Sequence, residues 1–373
     1  MVEIKEVKTR QDLKKFICFP NMLYARNPNW VPPLILDEMN TLRSDKNPAF
    51  EYCEARCWIA FKDGKPAGRI AGIINHKYIE KWGNKYARFG WLDFIDDEEV
   101  SRALLSTVEA WAKEKGLNGV HGPLGFCDLD KQGMLIQGFD EKSMMITLYN
   151  HPYYMAHMEK HGYRKDVDWV EYEIKVPDAI PEKIKKINDY VLKRLNLRVL
   201  RFKSTKELLG YADEVFKLLD EAYEHLYGVV PLTDKQVKAY TKQYLSFINP
   251  DYVRVIVDEN SQLVAFGIAI PALAAAFQKA KGKLLPFGFY HILKALHKND
   301  RLDLLLVAVK PELKGRGVNS LLLAEINESA SANGLKYAET GPELEDNADV
   351  QGLWKYYETR QHKRRRCYIK HIE

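Results

Sequence analysis

The sequence predicts two α/β domains in tandem, each built on a mixed sheet, and three observations carry that prediction. At 373 residues the chain is longer than a single core usually spans. One order of strands and helices, read from the spacing of apolar residues, occurs twice along it. Late in the second pass a buried strand leads through a glycine-containing corner into a helix.

Composition sets the outer limits. Hydrophobic residues at 46% and charged residues at 29% describe a globular protein with ample core. The net charge of +5 suits a small anionic ligand and does not call for nucleic acid. No apolar stretch reaches membrane-spanning length, and the opening MVEIKEVKTR lacks a signal-peptide profile, so a cytoplasmic protein is expected. Five cysteines, an odd number, point to reduced thiols. Cys53 and Cys57 share one side of a strand but lack the second pair a zinc site needs. Buried free thiols, and no metal, are expected.

Taken in order, residues 2–7 alternate apolar and charged and predict a strand, followed by a helix over 11–19. Residues 21–48 carry Asn27-Pro28-Asn29-Trp30 and Pro32-Pro33, a loop with at most one short helix. Asp63-Gly64 between the apolar runs 53–61 and 66–74 is a hairpin signal. A short helix near 77–82, a strand over 86–95 and an amphipathic helix over 97–115 follow, with Val100, Leu104, Val108, Trp111 and Ala112 on its apolar face. Residues 119–137 are a loop-rich stretch of apolar content, around Gly122-Pro123 and Gly125. A helix opens at 151–154 and ends near Gly162, and residues 163–176 alternate as a strand. Residues 177–181 are the expected linker, placing the domains at 1–176 and 177–373.

The second pass repeats the grammar. Residues 197–202 predict a strand, 205–226 and 234–247 helices, and 252–257 with 263–270 a hairpin. The run 302–309 is a buried strand, and Val318, Leu322, Ile326 and Ala330 mark a helix face. A strand over 335–340, a helix over 350–359 and a strand over 364–369 close the chain. An extra segment, 271–299, reads as a helical insertion with an apolar face and basic flanks. A homodimer contact or a lid is preferred for it over a membrane-surface helix.

Between strand and helix stand Lys314-Gly315-Arg316-Gly317. Glycines at such a corner let backbone N–H groups face a ligand closely, and the helix start adds unsatisfied donors and a positive dipole end. With Lys314 and Arg316 these make a diphosphate cradle. The spacing resembles the acyl-CoA loop of the GNAT acetyltransferase superfamily, with Lys314 where Arg or Gln is usual, Gly317 matching, and Asn319 in place of the last small residue. More specifically, the chain resembles a bacterial family of tandem GNAT-like proteins with no assigned substrate. The matching pieces of the first half are Asn47-Pro48-Ala49-Phe50, Gly68-Arg69-Ile70-Ala71, Gly122-Pro123, Gly138-Phe139-Asp140 and Tyr149-Asn150-His151-Pro152-Tyr153-Tyr154. Those of the second are Gly315-Arg316-Gly317 and Leu344-Glu345-Asp346-Asn347.

The resemblance implies an acyl-CoA N-acyltransferase that moves an acyl group, acetyl by expectation, from acetyl-CoA to a small-molecule or peptide amine. Cofactor contacts would come from Val307, Ala308 and Val309 and from Lys314, Gly315, Arg316, Gly317, Val318 and Asn319. Val309 would polarise the thioester, and Asn347 would face the pantetheine arm or cap the next helix. The acid for the leaving thiolate would be Tyr357, with Tyr356 as the neighbour that packs. For a general base Asp303 is the available carboxylate, with Glu339 as runner-up, although such a residue is more often a strand-end charge in solvent. No Ser-His-Asp or Cys-His arrangement is discernible. The run 363–366 reads as charges protecting an edge strand. One acyl-CoA site per chain is expected, because Asp96-Asp97-Glu98-Glu99 stand at the corresponding corner of the first half. Two other classes stay open: an aminoacyl ligase of tandem GNAT type, and a non-catalytic acyl-CoA sensor or scaffold.

Overall fold

Alternating apolar residues set the first sheet. The structure, a computed structural model, describes residues 1–244 and 247–372. The first pass runs β1 (Val2–Glu6), α1 (Arg10–Leu23), α2 (Ile35–Thr41), β2 (Cys53–Lys62), β3 (Lys65–Asn75), α3 (His76–Trp82) and β4 (Tyr86–Phe94). It continues through α4 (Glu98–Glu114), β5 (Gly119–Gly122), β6 (Met134–Gln137), α5 (Tyr153–Lys160) and β7 (Arg164–Lys175). The Asp63-Gly64 hairpin forms as expected, both residues at positive φ, which suits the twist of the paired strands. α4 buries Val100, Leu104, Leu105, Val108, Trp111 and Ala112. It approaches β3 so closely that a Cβ on Gly68 would stand 2.7 Å from Leu104 Cδ1.

The second pass runs α6 (Glu182–Arg194), β8 (Arg198–Leu200), α7 (Thr205–Leu209), α8 (Ala212–Tyr223), α9 (Asp234–Tyr244), β9 (Val253–Val257) and β10 (Leu263–Pro271). After α10 (Ala274–Ala280) and α11 (Gly288–His297) come β11 (Arg301–Val309), α12 (Val318–Ala332), β12 (Tyr337–Thr340), β13 (Glu343–Leu344), α13 (Ala348–Gln351) and β14 (Thr359–His371). Here Gly267 of β10 plays the part of Gly68, since a Cβ there would meet Ile326 of α12 at 2.9 Å. The repeat is thus one of packing as well as of order.

The chain divides into two units, 1–170 with 274–291 and 362–373, and 171–273 with 292–361. The first holds the antiparallel meander β1-β2-β3-β4, β5 parallel to β4, and the 362–371 part of β14 antiparallel to β5 and β6. The second holds β8-β9-β10-β11, β12 parallel to β11, and the end of β7 antiparallel to β12. The expected break at 176/177 lies near the 170/171 boundary, but neither unit is continuous in sequence. The chain changes unit inside β7 and again inside β14, so each unit's last strand comes from across the linear divide.

Four local expectations need correction. α6 went unanticipated because Ile184, Ile187 and Val191 make only a thin apolar stripe among lysines. The helix expected over 205–226 is two helices, α7 and α8, broken at Gly210 and Tyr211. The helix expected over 350–359 is a single turn followed by a 3₁₀ stretch, Gly352–Tyr356, and Tyr357 is extended. Of the helix expected over 234–247, residues 245 and 246 lie outside the described residues.

The fourth correction concerns the basic run. Residues 363–366 do not protect an edge, because β14 is paired with β5 and β6. Lys363 and Arg365 are buried, and Arg365 donates to the Leu148 carbonyl at 2.5 Å. Arg364 and Arg366 grip the buried Asp168 at 3.1 and 2.8 Å. Burial works to raise the Asp168 pKa, but Arg366 and Arg364 outweigh it and hold the carboxyl below its ordinary value. Its stabilisation is present above the ordinary carboxylate range and is lost as pH falls through the lowered value. Asp168→Ala should cost about 3–5 kcal/mol in denaturant melts at pH 7, because two arginines lose their partner. The deficit should narrow as wild type is acidified.

Candidate functional site

In the second unit β11 and β12 pair only from Arg301↔Tyr337 to Leu304↔Thr340. Beyond that point β12 ends, and burial along β11 falls at Leu305, Leu306 and Val307. The freed edge points away from β10. Lys310 donates its N–H to Val264 of β10, so the alternating N–H of Val309 faces the opposite way, into the opening. Tyr223, at the end of α8, donates from its hydroxyl to the Val307 carbonyl at 3.0 Å and marks the same edge.

The edge leads into the corner. A short 3₁₀ turn, Pro311–Leu313, precedes Gly315 and Gly317, which hold φ of 71° and 89°, the left-handed region that favours glycine. Gly317 is the N-cap of α12 and offers no side-chain cap. The first N–H groups of the helix, from Val318 and Asn319 onward, therefore keep donors without intrahelical partners. Lys314 and Arg316 are exposed and have no ion pair among the described residues. An uncapped helix start flanked by two exposed cations offers the N–H donors and the positive field that an anion would use.

The carboxylate candidates come together. Asp303 and Glu339 are register partners on the parallel pair, which puts their side chains on one face. Asp303 is only 2% exposed, so it is not a strand-end charge in solvent. Sequence reasoning missed Glu343. It sits on β13, just past the end of β12, and accepts from Trp354 Nε1 at 3.0 Å. Burial pushes its carboxyl up to about 7, against the lowering effect of bonds to Trp354 and Thr340. Asn347 stands at the N-cap position of α13, but its side chain makes no capping bond.

The tyrosines are not where a helix would put them. Tyr356 is 78% exposed. Tyr357 packs against the cluster of Trp354, Leu323 and Ile326, and its phenol lies beside Asn327 of α12. Burial raises its pKa, and the Asn327 side chain partly offsets this. Tyr223, whose position in sequence gave no signal, is the phenol found on the freed edge.

The first unit has the same opening after Arg88↔His121, but it is filled. Leu124 donates its N–H to Phe89, and the Phe94 N–H and C=O are taken by Tyr154 and Tyr153 at 3.0 and 2.5 Å. Tyr24 bonds to Tyr154 at 3.0 Å and donates to Asp93, which also receives Arg69 at 2.7 Å. The Tyr149–Tyr154 motif thus seals this edge from the inside. At the neighbouring corner Asp97 accepts from Val100 N–H at 3.2 Å and pairs with Lys62, so the start of α4 is capped.

Two clusters correct the expectation that no Ser-His-Asp or Cys-His arrangement exists. Ser101 Oγ lies 2.7 Å from His157 Nδ1 and 2.8 Å from His161 Nε2, and His157 Nε2 lies 2.9 Å from Asp96. Ser101 is fully buried and joins α4 to α5, which is a structural role. His121, Asp166 and Cys367 bring ligand atoms within 4.8 Å of one another. Burial lowers the His121 pKa, and the adjacent Arg88 charge, which would also oppose a cation, adds to the effect. The first group joins segment 96–101 to segment 157–161, the second joins positions 121, 166 and 367, and no local spacing announces either. Cys53 and Cys57 are buried free thiols, each pushed up to about 12 by burial.

No protein-family model matches the chain. It is 30% identical over 376 residues to "Protein YghO" of Escherichia coli, covering 99% of this chain and 95% of that protein. It is 28% identical over 324 residues to "Bacterial ceramide synthase" of Caulobacter vibrioides, covering 83% and 82%. Among solved structures, a "Tandem GNAT protein from the clavulanic acid biosynthesis pathway" superposes with a TM-score of 0.56 at 13% identity. The match covers 100% of this chain and 98% of that one. The chain therefore has the GNAT acyltransferase fold in tandem and belongs to the family of protein YghO.

Proposed function

We propose that the second unit binds an acyl-CoA along the freed edge of β11 and transfers its acyl group to an amine. The observation that carries this reading is that open edge, glycine corner and uncapped helix start follow one another within a single unit. The pyrophosphate would take the N–H groups of Gly317, Val318 and Asn319, with Lys314, Gly315 and Arg316 around it. The pantetheine arm would run along Val307, Ala308 and Val309 toward Asn347, with the Val309 N–H on the thioester oxygen.

Acyl transfer needs a base for the ammonium and an acid for the thiolate. Glu343, just past the end of β12 and with its carboxyl pushed up to about 7, suits the base better than Asp303 and Glu339, which lie within the paired part of the strands. As the C–N bond forms and the C–S bond breaks, the amine proton passes to Glu343. Tyr223, on the edge itself, returns a proton to sulfur in preference to Tyr357. Tyr223→Phe should then lower turnover by roughly 10²-fold with CoA affinity nearly intact, and Tyr357→Phe should change it little. The opposite ranking in steady-state assays would restore Tyr357.

Acetyl-CoA is the donor that the resemblance to GNAT acetyltransferases favours. The name of the Caulobacter relative favours a second reading, a long-chain acyl-CoA with a long-chain amino alcohol, because a ceramide is the amide of these two. Release of free thiol from acetyl-CoA and palmitoyl-CoA, against a panel of amines that includes a sphingoid base, tests both. Thiol release that depends on an amine supports acyl transfer, and the productive pair names the acceptor class. CoA binding with no turnover for any pair would favour the sensor or scaffold.

A further inference from the structure

Among the described residues no helix is long and apolar enough to cross a membrane. The insertion nonetheless carries the largest run of exposed apolar side chains among the described residues. Its base is pinned to the first unit: Gln278 donates to the Pro28 and Trp30 carbonyls at 2.7 and 2.9 Å, and Ile35 N–H donates to Gly282 at 2.9 Å. Beyond that anchor, Leu284, Leu285, Phe287, Phe289 and Tyr290 are all exposed, Leu285 and Phe287 by 74% and 73%. Leu293 extends the row by one turn of α11 and is also exposed.

Charge says what covers it. From Ser261 to Asn299 the sequence contains no Asp or Glu, whereas Lys279, Lys281, Lys283, Lys294 and Lys298 flank the apolar row. All five are exposed. In a two-fold dimer built on this face each patch would meet its own copy, bringing lysines against lysines. An anionic bilayer surface matches both features: acyl chains for the Leu and Phe side chains, headgroup phosphates for the ammonium groups.

We propose that residues 279–298 dock the protein on an anionic membrane surface, with 284–290 entering the headgroup boundary and the lysines on lipid phosphates. This does not depend on the acyl-transfer reading, and it puts the protein where long-chain amines and acyl donors partition.

Flotation of the full chain with vesicles tests it. Vesicles of phosphatidylcholine with about one third phosphatidylglycerol should carry the protein, and vesicles of phosphatidylcholine alone should carry far less. Leu285→Glu with Phe287→Glu should lower the bound fraction by roughly tenfold or more. Lys281→Glu with Lys283→Glu, or 0.5 M salt, should weaken binding in the same direction. These side chains are exposed, so the variants should keep wild-type melting curves. No flotation on the anionic vesicles, or flotation that both double variants leave unchanged, would overturn the proposal. So would a dimer in sedimentation analysis that Phe287→Glu dissociates without any vesicle binding by wild type.

Discussion

Gly317→Glu should remove measurable acyl-CoA binding while leaving the chain folded. The position does three things at once. Its φ of 89° is strained for any residue with a Cβ, at a cost of about 1 kcal/mol. A Cβ there would come within 3.2 Å of Val191 Cγ2, so α6 would have to shift slightly. Above all, a carboxylate would sit where α12 presents its unsatisfied N–H groups, satisfying them and repelling a pyrophosphate. The first two effects are small beside a global stability of several kcal/mol. The third should lower affinity by at least ~10²-fold, since it removes donors and reverses the local charge. Lys314→Glu with Arg316→Glu provides the control. Both side chains are exposed, so the fold is spared, and affinity should fall in the same direction with a flatter dependence on salt.

Glu343→Gln should lower turnover by roughly 10²-fold or more and flatten the pH profile. With the carboxyl pushed up to about 7, wild-type kcat/KM should climb with pH through neutrality as the base loses its proton, then level off. The glutamine variant should show no such limb. Stability runs the other way. A carboxyl whose folded pKa is raised binds its proton more tightly in the folded state, so its contribution is fully present below the ordinary carboxylate range. That contribution is lost as pH rises through about 7. Glu343→Gln, which keeps a neutral acceptor for Trp354, should therefore be more stable than wild type above pH 7, on the order of 2 kcal/mol. A variant that is more stable and much slower separates a catalytic carboxyl from a structural one. Unchanged turnover would return the base role to Asp303 or Glu339.

The parts legible in sequence are those whose cause is local. The β11 strand, the glycine corner and α12 lie within 34 consecutive residues, and each announces itself by period, turn chemistry or charge. The acidic corner at 96–99 is legible for the same reason, and Asp97 does cap α4. What escaped depends on packing between distant segments. Glu343 is one carboxylate among many until Trp354 and burial raise its pKa. Tyr223 is the last residue of an ordinary amphipathic helix until its hydroxyl meets Val307. The run 363–366 misled because charge in a strand normally means solvent. Here β14 crosses from one unit to the other and takes an internal position, with Asp168 supplied by β7. The helix expected over 350–359 failed because Gly352 and the aromatic cluster behind Trp354 favour a tighter 3₁₀ turn, and this moved both tyrosines. The motif Tyr149–Tyr154 was visible as a pattern, but its effect, two hydroxyls on the Phe94 backbone, was not.

That effect bears on the central claim, that acyl-CoA binds to the second unit alone. The two units share an order, a parallel strand pair and a glycine beneath the long helix, so symmetry would allow two sites. In the first, tyrosines occupy the edge and Asp97 the helix start. In the second, the Val309 N–H faces the opening and Gly317 leaves the helix uncapped. Calorimetric titration of the full chain with CoA is the most direct test. It should give one site per chain, abolished by Gly317→Glu and unaffected by Asp97→Ala. Two equivalent sites, or a single site lost in Asp97→Ala and kept in Gly317→Glu, would place the cofactor in the other unit and contradict the account.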